Sequence, residues 1–149
     1  MSQDRSKTLD ELEGVVWGPP TFDSSLVVTC HQLRTRPLSD FTAENLRIML
    51  GQKISVPLLL PLAIELLRRD PFTAGNLYPG DLLTVALNAA DASSDQTQHL
   101  VEIARAALRE LSVREQDDYA GPFEPIYGDL ARQLRSSLTG FVAAQGALI

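Results

Sequence analysis

Residues 38–87 hold the densest apolar run in the chain and interrupt it at short intervals with helix start and stop signals. Thr42 stands just before Ala43-Glu44-Asn45-Leu46. Its hydroxyl can accept from an orphan backbone N–H, and Glu44 brings a negative charge to the positive end of the helix dipole. Phe41 is placed to pack on Leu46 as a hydrophobic staple. Leu46, Met49 and Leu50 then form one stripe, and Gly51 offers a left-handed stop. A second helix runs from Ser55 or Pro57 to Arg69, with Leu59, Leu62, Ala63 and Leu66 on one face. Pro61 either starts that helix or kinks it against the carbonyl of Pro57, and Asp70-Pro71 closes it. Tyr78-Pro79-Gly80 is a turn that hands a capping residue, Asp81, to Leu82, Leu83, Ala86 and Leu87. Three short helices joined this tightly must fold back on one another to bury their leucines, so the segment predicts the nucleus of an all-helical domain.

The flanks carry the same grammar. Residues 1–7 are polar and are expected to fray. Thr8 and Glu11 match a capping box, and Gly14 ends that short helix. Pro19-Pro20 keeps residues 15–22 extended, and Trp17 either pins this arm to the body or anchors a partner. Asp23 or Ser24 caps a helix to about Arg34 whose inner face is Leu26, Val27, Cys30 and Leu33. After a polar loop at 91–96, Asp95 caps the most regular helix. There Leu100, Ile103, Ala104, Ala107, Leu108 and Leu111 recur at helical spacing, and Glu110 and Arg114 form an outward i,i+4 pair. Residues 112–125 read as a long connection. A last helix starts near Pro125, buries Tyr127, Leu130, Leu134, Leu138 and Phe141, and frays from residue 143. Leucine and alanine outnumber the β-branched residues, which also favours helix. The expectation is one all-α domain over residues 1–149, with six or seven helices and an extended N-terminal arm.

Charge and composition narrow the function. A net charge of −6 disfavours nucleic-acid binding, since phosphates need a basic face, and suits a basic partner better. The single cysteine, Cys30, permits neither an internal disulfide nor a cysteine-based metal site. No apolar core marks the N-terminus as a secretory signal, and the longest apolar run, 54–67, is too short to span a bilayer. A soluble cytoplasmic chain without membrane contact is expected.

The candidate chemistries are weak. Cys30 and His31 point about 100° apart on a helix and cannot form a nucleophile–base pair. His99 and Glu102 share a helix face, but a metal site needs three or four ligands. The turn at 75–80 lacks the Lys-Ser/Thr pair of a phosphate loop, and no serine sits in a nucleophile elbow. Were the helices at 42–51 and 57–69 a helix-turn-helix, the groove-reading residues would be Val56, Pro57, Leu58, Leu59 and Leu60. None of those side chains can donate to a base edge. No catalytic residue, metal ligand or cofactor is therefore assigned, and the chain reads as a non-enzyme.

One stretch stands apart. Residues 115–129 carry Glu115, Asp117, Asp118, Glu124 and Asp129 with no basic residue, interleaved with Tyr119, Phe123 and Tyr127. Either this is a solvated loop with its aromatics tucked inwards, or it is a docking surface. In the second case the carboxylates meet a basic partner, and Tyr119 or Phe123 serves as anchor.

The ordered set FTAENLRIMLGQ, LLLPLAIELLRRDPF and LYPGDLL resembles the immunity proteins of bacterial contact-dependent growth inhibition (CDI) systems. LDELEG, the Trp17-Gly18-Pro19-Pro20 run and SSLVVTCHQLRTRPL precede it in the same order as in that family. The likeness covers about residues 9–88 and lies in order and pattern. It implies a protein that binds and neutralises the cognate C-terminal toxin domain of a CDI effector by stoichiometric association, in the bacterial cytoplasm. Were that toxin a nuclease, it would present a basic cleft. The toxin-binding residues would then be Glu115, Asp117, Asp118, Tyr119, Phe123, Glu124 and Asp129. A helical adaptor that binds some other protein is the alternative.

Overall fold

The computed structural model describes residues 4–21, 24–90, 95–116 and 128–146, with the side chains at 112–116, 128–131 and 145–146 excepted. Among the described residues the chain is all helical and holds no strand. The α-helices are α1 (Leu9–Glu13), α2 (Ser25–Leu33), α3 (Ala43–Gly51), α4 (Val56–Arg69), α5 (Asp81–Ala89), α6 (Asp95–Gln116) and α7 (Gly128–Gly146). A single 3-10 turn, Leu38–Asp40, joins α2 to α3.

Two helix starts form as their sequences dictate. Thr8 Oγ1 accepts from the N–H of Glu11 at 3.1 Å, and the Glu11 carboxylate accepts from the N–H of Thr8 at 3.2 Å. Gly14 then takes the left-handed conformation at φ 70°. Thr42 caps α3 through the N–H of Asn45, and Asn45 Oδ1 returns the bond at 3.1 Å. The capping box is thus closed by an amide three residues on, in the place where Glu or Gln usually stands.

The stop of α3 differs from expectation. Gly51 is helical, and Lys53, at φ 57°, is the left-handed residue. The N–H of Ile54 bonds the carbonyl of Met49 at 2.9 Å, and that of Lys53 bonds Leu50 at 3.0 Å. These are the two bonds of a Schellman motif, whose left-handed residue lies two positions beyond Gly51. Ser55 is left-handed as well, at φ 52°.

Helix α4 begins at Val56, carries Pro57 in its first turn and runs through Pro61 to Arg69. Its buried residues are Leu59, Leu60, Leu62, Ala63, Ile64 and Leu67, while Leu66 is only half-buried. The single face expected from the sequence is therefore too narrow. A helix apolar on most sides is an interior helix, and α4 is in contact with α3, α5 and α6.

The remaining elements enclose that centre. Helix α5 buries Leu82, Leu83, Ala86 and Leu87, but its cap is Gly80, and Asp81 is the first helical residue. Helix α2 buries only Cys30 and Leu33 in its second half, and Leu26 is exposed, because the first turn stands clear of the body. The stripe on α6 is in place, with Leu100, Ile103, Ala104, Ala107 and Leu111 buried and Leu108 half-buried. Helix α6 continues to Gln116, past the expected break at 112, and Asp95 lies in its first turn. Helix α7 packs on α6 and α5 through Leu134 and Leu138, with Phe141 partly covered, and stays helical to Gly146. Tyr127 and the side chains of Leu130 and Arg114 lie outside the described residues.

Gly80 ties α5 to α7. Its φ is +91°, and a Cβ there would stand 2.9 Å from Leu134 Cδ2. Gly80→Ala should lower stability in urea by at least about 1–2 kcal/mol, the cost of a left-handed alanine before any clash. Gly140 lies on the exposed side of α7 with nothing near its missing Cβ. Gly140→Ala should raise stability by about 0.5–1 kcal/mol. Shifts of the same sign in the two variants would contradict this placement.

Candidate partner-binding surface

Arg34 is 1% exposed, and burying a guanidinium requires partners for its donors. Nε donates to Asp10 Oδ1 at 2.8 Å, and NH1 donates to Glu13 Oε1 at 2.5 Å and to Ser55 Oγ at 3.1 Å. NH2 donates to the carbonyl of Val15 at 3.2 Å. The guanidinium carbon lies 4.5 Å from the centre of the Trp17 ring, within cation–π range. One side chain at the end of α2 thereby fastens α1, the extended arm at 15–20 and the α3–α4 connection.

Trp17 takes its second contact from His31, whose ring is 5.1 Å away edge-on. The Nδ1 of His31 donates to the carbonyl of Gly18 at 3.0 Å. The arm is thus held from beneath, while Val15, Val16 and Trp17 remain 55%, 78% and 41% exposed. Exposed apolar residues in a contiguous row mark interaction surfaces far more often than isolated ones do. Beside the arm opens a cleft of about 500 Å³ lined by Glu13, Val15, Trp17, Lys53, Ile54 and Ser55 above Arg34. Lys53 and Ser55, the two non-glycine residues with positive φ among the described residues, lie on it. Such conformations cost about 1–3 kcal/mol each and gather where a chain binds something.

A second rigid feature is the loop before α5. The buried Asp81 carboxylate accepts from the N–H groups of Gly75 at 2.7 Å, Leu77 at 3.0 Å and Tyr78 at 3.4 Å. Asp81 therefore braces the loop that precedes it, a role different from the helix cap read in the sequence. Glu44 accepts from the N–H of Asn76 at 2.7 Å and from Nε and NH2 of Arg47, and Arg47 Nε lies 3.8 Å from Asp81. The Arg47 guanidinium holds the Glu44 carboxyl below the usual glutamate range. Leu77 emerges from this braced loop 62% exposed.

The acidic residues singled out in the sequence are not brought into this picture. Asp117, Asp118, Tyr119, Phe123 and Glu124 lie outside the described residues, as do the side chains of Glu115 and Asp129. Cys30 is a buried core residue whose thiol is pushed up in pKa by burial. His99 is engaged by Arg68, whose guanidinium donates to Nδ1. Among the described residues no three His, Cys, Asp or Glu side chains gather as metal ligands. Sequence reasoning placed Trp17 on the arm but missed Arg34. Its signal was available only in three dimensions, since its partners are residues 10, 13, 15 and 55.

Residues 11–104 match the family model described as CDI immunity proteins. Comparison with curated proteins and with solved structures finds no match.

Arg34→Met should cost about 3–5 kcal/mol in denaturant unfolding, because Asp10 is left buried without its cation. Adding Asp10→Leu should recover much of that loss. A strictly additive pair of losses would show that the two groups do not depend on each other. Glu44, with its lowered pKa, contributes stability that is present above the ordinary glutamate range and lost as pH falls through the lowered value. Glu44→Gln should therefore flatten the acid limb of stability against pH, and an unchanged limb would contradict the pairing.

Proposed function

The chain belongs to the CDI immunity proteins, and from that membership we propose that it binds the cognate C-terminal toxin domain of a CDI effector and neutralises it by one-to-one association. The observation that carries this reading is the family match over residues 11–104, which spans α2 to α5 and the first half of α6. The mechanism is occlusion or locking of the toxin, with no bond made or broken by this chain. Its place of action is the cytoplasm of the producing cell, where it meets the toxin domain before harm is done. No described helix is long and apolar enough to cross a membrane, which agrees with that setting.

The acidic stretch supports a basic partner. Residues 115–129 hold five carboxylates and no base, so without them the net charge of −6 would fall to −1. A field concentrated in one short segment steers an oppositely charged partner and aligns it on arrival. In this reading Glu115, Asp117, Asp118, Glu124 and Asp129 supply the attraction, and Tyr119 or Phe123 supplies the anchor. A toxin with a phosphate-binding cleft, such as a nuclease, offers the matching charge.

The test is direct. Cells expressing the toxin domain encoded immediately upstream should survive when this chain is co-expressed and die when it is absent. The association rate should fall as salt rises, and Asp117→Lys with Asp118→Lys should slow it by about tenfold or more. Survival without this chain, or death despite it, would refute the immunity reading. A salt-independent rate unaltered by the double reversal would remove the acidic stretch from the docking surface.

A further inference from the structure

Residues 4–21 reach the helical body mainly through polar bonds. Leu9 is their one residue in the core, with Leu12 at its edge. Helix α1 has five residues and packs broadly on none of the other helices. The remaining ties are hydrogen bonds and ion pairs. The N–H of Ser39 donates to the carbonyl of Arg5 at 2.9 Å, that of Leu38 to Lys7 at 3.1 Å, and that of Asp10 to Arg34 at 3.2 Å. Arg5 pairs with Glu65 on α4, and His31 holds the carbonyl of Gly18. The joint is also incompletely filled. Arg5, Leu38, Phe41, Leu46, Leu62 and Glu65 line a cavity of about 100 Å³ between the segment and the body.

We propose that residues 4–21 form a strap that opens and recloses as one unit on a folded body, with the Arg34 guanidinium as its latch. Water can replace each of these hydrogen bonds, so losing them costs far less than unpacking α4. Arg34 also regains water when the strap leaves, which offsets much of what its bonds contribute. Segments with little apolar burial open at free energies below that of global unfolding. Opening is concerted because the ties are shared. Arg34 grips residues 10, 13 and 15 together, and the N–H groups of Gly14 and Val15 both donate to the carbonyl of Asp10. At the other end the capping box joins Thr8 to Glu11. Closed, the strap presents Val15, Val16 and Trp17 as an exposed row. Open, that row is dispersed and the cavity lined by Leu38 and Phe41 is laid bare. The device belongs to the free chain, and the immunity reading does not depend on it.

Two measurements on the full chain test the strap. Trp17, the only tryptophan, sits on it, while helix content by circular dichroism reports the body. In urea the Trp17 fluorescence change should come at lower concentration and with a shallower slope than the loss of helix, because strap opening exposes less surface. Coincident transitions of equal slope overturn the proposal. Hydrogen exchange tests the unit. In the unmodified chain the N–H groups of Asp10, Leu38 and Ser39 should share one opening free energy, lower than that of the α4 interior. Gly14→Ala strains the closed strap at φ 70°, where an added Cβ meets nothing. The strained variant should speed exchange at Leu38 and Ser39 by about 5- to 30-fold. Those two N–H groups bond residues 7 and 5, so a change at position 14 reaches them only through concerted opening. Unaltered exchange at Leu38 and Ser39 in Gly14→Ala, or protection there equal to that of α4 in the unmodified chain, overturns the strap.

Discussion

Because α4 is apolar on most of its circumference, it is stable in water only when other helices enclose it, and that requirement organises the fold. Helices α3 and α5 flank it from either side in sequence, and α6 closes over it from the C-terminal half. Helices α3 and α5, of nine residues each, are too short to be stable as isolated helices. Helix formation and tertiary burial are therefore one event here. The N-terminal elements join this body by different means, since α1 brings only Leu9 into the core, with Leu12 at its edge.

Arg34 supplies what apolar area cannot. A guanidinium stripped of water is held by two carboxylates, a hydroxyl, a carbonyl and an indole face. Such an arrangement is poor value as stability, because desolvation consumes most of the Coulomb gain. It is good at fixing geometry, because each bond has a direction. The arm is thus locked in one conformation with its apolar side outward, and the neighbouring connection is locked with Lys53 and Ser55 in left-handed conformations.

How much of this the sequence disclosed depended on the range of the interaction. Features set within four residues were legible: the capping box at Thr8, the cap at Thr42, the stop at Gly14 and the stripe on α6. Features in which several local partners compete, or which depend on the rest of the body, were not. Gly51 has the right chemistry for a stop, but the carbonyls of Met49 and Leu50 are captured from Ile54 and Lys53. Leu26 has the right spacing for a core face, yet only the second half of α2 reaches the body. Asp81 has the position of a cap, and its carboxylate turns back to hold three N–H groups of the loop before it. The family was legible because the order of helices and turns is itself a local property. Of the arm and its anchorage only Trp17 was legible, since Arg34 and its partners are far apart in the chain.

In the proposed function the chain neutralises its toxin by holding it, without chemistry. Titrating a fixed amount of active toxin domain with this chain tests it most directly. The account predicts that toxin activity falls linearly and reaches zero at one molar equivalent, with the mass of the toxin unchanged. Inactivation by a small fraction of an equivalent, or a toxin recovered with altered mass, would contradict it.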